Sequence, residues 1–100
     1  MYIEKINKIL YTKIMPELSR FMGISIAMYF NDHNPPHFHA IYSEYDIEIE
    51  IKNLSILDGK LPPRILGLVM EWAELHKEEL LNCWNLIQET GKYNKIQPLV

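Results

Sequence analysis

The sequence contains a single cysteine, Cys83, so no internal disulfide can form and a reducing cytoplasm is the expected compartment. It has no uninterrupted apolar run of about 18 residues, which excludes a hydrophobic membrane-spanning helix. The opening stretch is interrupted by Glu4, Lys5, Lys8 and Lys13 and lacks the apolar segment of a secretory signal. None of the four glycines builds a phosphate-cradling loop, and no serine or cysteine stands in a nucleophile motif. Arginine is scarce, with only Arg20 and Arg64, and the net charge of −3 argues against a general nucleic-acid binder. Charge is nonetheless uneven. Lys5, Lys8, Lys13 and Arg20 make the first part basic, whereas Glu44, Asp46, Glu48 and Glu50 make the middle acidic.

What is present fits one small domain. A chain of 100 residues with 48% hydrophobic and 23% charged residues supports a single modest core. Ile3, Ile6, Ile9 and Leu10 recur at helical spacing, so residues 1–14 are expected to form a helix that ends before Pro16. From Gly23, "GISIAMYF" reads as a strand, and "HFHAIY" and "YDIEIEIK" are the clearest strand signals. "NLSILDGK" adds a fourth short strand with a turn at Asp58–Gly59. Beyond Pro63, Leu66, Val69, Ala73, Leu80, Trp84 and Ile87 form a helical stripe, in one long helix or two with a bend near His76. The expected fold is α+β: an antiparallel sheet of three to four strands, packed by an N-terminal helix and a long C-terminal helix that is straight or bent.

The unusual feature is "NDHNPPHFHA", which places His33, His37 and His39 within seven positions. Pairing of the two clear strands can be deduced from their alternation. If a loop at Ser43–Glu44 sets Ile41 opposite Asp46, then His39 faces Glu48, Phe38 faces Ile49 and His37 faces Glu50. Directly opposite residues share a face, so Phe38, Ala40, Ile47 and Ile49 go to the core and His37, His39, Glu48 and Glu50 to an accessible side. A slip by one would reverse this. Histidine beside carboxylate on an open face suits general acid–base chemistry, and an exposed charge ladder is the bland alternative. Pro35–Pro36 stiffens the chain between His33 and His37. The candidate catalytic residues are Asp32, His33, His37, His39 and Glu48, with Arg20 as a phosphate-binding residue. No cofactor is required for that chemistry. As an alternative, His33, His37 and His39 could ligate a divalent metal such as zinc or manganese.

With "MYFNDHNPPHFHA" at 28–40, "GKLPPR" at 59–64 and "EWAELHKEELLNCW" at 71–84, the chain resembles a family of small bacterial proteins catalogued as domain of unknown function forty-one-sixty. The likeness runs over about residues 15–99. Ser43 stands where glycine is common, and residues 1–14 look like an extension of the single domain at 15–100. The resemblance implies a small partner protein encoded nearby and a role as the toxin of a toxin–antitoxin pair. Three functions follow: a metal-independent ribonuclease acting on RNA, a non-catalytic protein-binding module, or a metal-dependent hydrolase. No membrane is implied, and the sequence leaves self-association open.

Overall fold

A computed structural model describes residues 15–100, so the helix expected over residues 1–14 lies outside the described residues. The elements are β1 (Glu17–Phe21), β2 (Ile24–Ala27), β3 (His37–Tyr42), β4 (Tyr45–Glu50), β5 (Ile56–Gly59), α1 (Pro63–Leu75) and α2 (Lys77–Thr90). The expected sheet of three to four strands is corrected: it has five antiparallel strands in the order β1-β2-β3-β4-β5. Of the two helical alternatives, two helices follow it, separated at His76.

The extra strand and the helix break have local causes. The first strand, "ELSRF", shows no clean alternation because its register shifts between Glu17 and Ser19. It then turns through Met22 and Gly23 at φ 51° and 78°, with Phe21 opposite Ile24. Two left-handed residues match the twist of a two-residue hairpin, but methionine is an uncommon occupant and gives no turn signal. At the helical end, His76 departs to φ −124° and ψ 25° and its N–H donates to the Ala73 carbonyl. The helix stops there and restarts at Lys77.

The β3–β4 pairing has the expected register: His37 opposite Glu50, Phe38 opposite Ile49, His39 opposite Glu48 and Ala40 opposite Ile47. Ser43 closes the loop at φ 55°. Asp58–Gly59, expected as a turn, belongs instead to β5, opposite Glu48 and Ile47. Gly59 has φ 80°, and a Cβ there would run into the Asp46 carbonyl oxygen. The close approach of two backbones requires the missing side chain.

Trp72 of α1 is fully buried, with Phe21 and Phe38 at ring-centroid distances of 5.7 and 6.2 Å. Its indole N–H donates to the Gln97 carbonyl at 2.8 Å. Ile24, Ile26, Ala40, Ile47, Ile49, Val69, Leu80 and Ile87 complete one core shared by the sheet and both helices. The C-terminal segment returns to the first strand, where the Ile96 N–H donates to the Leu18 carbonyl at 2.8 Å. Cys83 is buried with its thiol on the Asn94 carbonyl, and burial pushes that thiol up, away from the reactive thiolate. No helix among the described residues is long and apolar enough to cross a membrane.

Gly59→Ala is expected to lower stability by about 2 kcal/mol or more. Gly67→Ala lies in α1, where a Cβ meets nothing within 4 Å, and is expected to raise stability by about 0.5–1 kcal/mol. Urea unfolding midpoints at constant slope check both.

Candidate functional site

The segment between β2 and β3 leaves the sheet at Met28 and folds back over one end of it. Gln88 of α2 holds it there. The Gln88 amide donates to the Tyr29 carbonyl at 2.9 Å and accepts from the Asp32 N–H at 3.1 Å. Trp84, one helical turn earlier on the same side of α2, packs against His37 with ring centroids 5.1 Å apart. Tyr29 meets the His39 ring edge-on at 4.6 Å, and His33 stacks on His37 at 4.8 Å.

This cover overturns one expectation. His37 and His39 do lie on the face opposite Phe38 and Ala40, but that face is closed at their end, leaving them only 1% and 6% exposed. His33 alone among the three is open, with its side chain 66% exposed. Asp32 and Glu48 are partly buried beside it.

The carboxylate partners are diagonal, not directly across. His37 stands opposite Glu50 but its Nε2 lies 3.5 Å from Glu48 Oε1. His39 stands opposite Glu48 but its Nδ1 lies 3.2 Å from Asp46 Oδ1. Diagonal neighbours on one sheet face are within reach of side chains of this length. Glu50 is left to accept from the Ser55 hydroxyl at 3.3 Å.

All three imidazoles present the same nitrogen inward. Nδ1 of His37 lies 2.8 Å from the Pro35 carbonyl, and Nδ1 of His33 lies 3.2 Å from the Asn34 carbonyl. A carbonyl only accepts, so these Nδ1 atoms carry the proton. Their Nε2 atoms converge on two carboxylates. His37 Nε2 is 2.9 Å from Asp32 Oδ2, and His39 Nε2 is 3.7 Å from the same oxygen. His33 Nε2 is 3.6 Å from Asp32 Oδ1 and 3.8 Å from Glu48 Oε1. Two sets, Asp32–His33–His37 and His37–His39–Glu48, have ligand atoms close enough together to hold a metal ion. Burial, with the negative charge of Asp46, Asp32 and Glu48, pushes the Tyr29 hydroxyl up, so it remains a protonated donor at neutral pH.

The structure thus unites Asp32, His33, His37, His39 and Glu48. It does not bring Arg20 to them. Arg20 pairs with Ser25 in β1–β2 and so shares the histidine face two strands away, but its guanidinium is bound to Glu17 at 2.7 Å. The Ser25 hydroxyl and Arg20 together hold the Glu17 carboxyl below its usual range. Sequence reasoning missed Tyr29, Asp46, Trp84 and Gln88. Only the i,i+4 spacing of Trp84 and Gln88, and the shared face of Asp46 and Glu48, carried any hint of them.

A family model described as Domain of unknown function (DUF4160) matches residues 23–85, more than half of the chain and all of this cluster. No curated protein and no solved structure matches the chain.

Gln88→Leu removes both tethers of the covering segment and is expected to cost about 1 kcal/mol. The amide of Asp32 should then exchange faster with solvent, which hydrogen-exchange measurement reads directly.

Proposed function

The chain belongs to the DUF4160 family, and on that premise we propose that it is a hydrolase of RNA phosphodiesters, acting as the growth-arresting member of a two-gene pair. The observation that carries this reading is the convergence of three imidazole Nε2 atoms and two carboxylates at the end of β3. His33, open to solvent, is the group that meets the scissile phosphate and transfers a proton. His37 and His39, enclosed and oriented by backbone and carboxylate partners, stabilise charge behind it. Arg20 holds a flanking phosphate. Its exposed pair with Glu17 contributes no more than about 1 kcal/mol and exchanges readily for a phosphate oxygen.

A second reading, a non-catalytic module that binds a partner protein, draws on an apolar groove beside the cluster. Pro35, Pro36, Ile51 and Leu81 line it together with Lys52, Lys77, Glu50 and Glu78.

Induced expression in a bacterial host distinguishes the two. Wild-type protein should arrest growth and His33→Ala should not, and cleavage of a single-stranded RNA by purified protein should fall about 100-fold in the variant. Growth arrest retained by His33→Ala and lost on Leu81→Glu would instead favour the binding module.

A further inference from the structure

We infer that Asp32, His37, His39 and Glu48 hold one divalent transition-metal ion, with His33 beside the ion on its solvent side. The inference deepens the hydrolase reading by naming the species at its centre, while the binding itself stands on separate observations.

The first is an orphaned atom. His39 Nε2 is buried and has no hydrogen-bond partner among the described residues. Leaving such an atom unmatched is costly. Its neighbour across the cluster, Asp32 Oδ2, is too far for a hydrogen bond at 3.7 Å.

The second is the direction of the lone pairs. In His33 and His37 the Nδ1 proton goes to a backbone carbonyl, and in His39 Nδ1 faces the Asp46 carboxylate. A neutral imidazole then offers a lone pair at Nε2. All three Nε2 atoms point toward carboxylate oxygens, and His37 Nε2 lies within hydrogen-bond distance of Asp32 at 2.9 Å. A cation among them takes the place a shared proton would otherwise fill. Oxygen acceptors on the far nitrogen of each ring are also the usual support of metal-bound histidine, fixing the tautomer and the ring plane.

The third is spacing. Donor atoms about 2.1 Å from one ion lie roughly 3.0 Å apart at right angles and about 3.4 Å apart in a tetrahedron. The Nε2-to-oxygen separations of 2.9, 3.5 and 3.7 Å for Asp32–His37, His37–Glu48 and His39–Asp32 bracket those values. A donor set of imidazoles and carboxylates without thiolate suits Zn²⁺ or Mn²⁺ and disfavours Mg²⁺ and Ca²⁺, which prefer all-oxygen shells. Cys83, hydrogen-bonded to Asn94, takes no part.

The ion also eases a charge conflict with the proposed substrate. Asp32, Asp46 and Glu48 would repel a phosphodiester. A divalent cation would offset two of those three charges and would supply Lewis-acid polarisation to a phosphate oxygen.

The test uses the full chain, stripped with chelator and titrated with Zn²⁺ or Mn²⁺ by calorimetry, with metal counted by mass spectrometry. Wild type should bind one equivalent, and its Tm should rise on the order of 10 °C at a hundredfold excess over Kd. His39→Gln should weaken binding about 100-fold, and the exposed His33→Ala by about tenfold with an unchanged metal-free Tm. His76→Gln, outside the cluster, should bind as wild type does. A folded wild type that binds neither metal, or a His39→Gln protein that binds as tightly as wild type, overturns the inference. Metal bound without growth arrest would leave the site standing and remove the hydrolase reading. Growth arrest by a metal-free protein would do the reverse.

Discussion

One pairing register governs this molecule. Because side chains alternate across a strand, placing Ala40 opposite Ile47 simultaneously sends Phe38 and Ile49 to the core and His37, His39, Asp46 and Glu48 to the other face. No separate interaction has to recruit the cluster. The burial of Phe38 under Trp72, worth about 1.5–3 kcal/mol for a side chain of this kind, is the same event that aims two imidazoles at two carboxylates. The core and the cluster are therefore two faces of a single hairpin.

The covering segment is the second layer of the design. Its residues between Ala27 and His37 include two prolines and no glycine, so it is short of conformational freedom before it folds. Two hydrogen bonds from Gln88 then fix where it lies, and Trp84 closes the side of His37. Enclosure changes the character of the histidines. On an open strand water would satisfy their ring nitrogens. Under Tyr29 and Asp32 they occupy a place where polar atoms must find partners within the protein, and this makes the unpartnered Nε2 of His39 conspicuous.

The sequence was most legible where its period was strict. "HFHAIY" and "YDIEIE" alternate cleanly and announced both strands, their register and the separation of faces. It was least legible where conformation or distant contacts decide. Met22 adopts a left-handed turn that its side chain does not advertise, which concealed β1, and the register shift at Ser19 blurred the alternation there. Asp58–Gly59 has the composition of a turn, yet Gly59 is needed because the β4 backbone approaches it. The cluster membership of Asp32, His33, His37, His39 and Glu48 could be deduced from one short stretch and one strand pattern. Their enclosure could not, because it depends on Gln88, some 56 residues beyond Asp32.

The run His37–Phe38–His39–Ala40 is buried at all four positions, whereas β4 beside it is buried only at Ile47 and Ile49. An antiparallel strand usually has every second residue free to vary against solvent. Here none of the four is free: two are fixed by packing and two by the polar company they keep. Drift through single substitutions is thereby closed off along the whole run. Each position answers to a different neighbour, whether Trp72, Trp84, Tyr29 or Ile47, so a compensating change for one does nothing for the next.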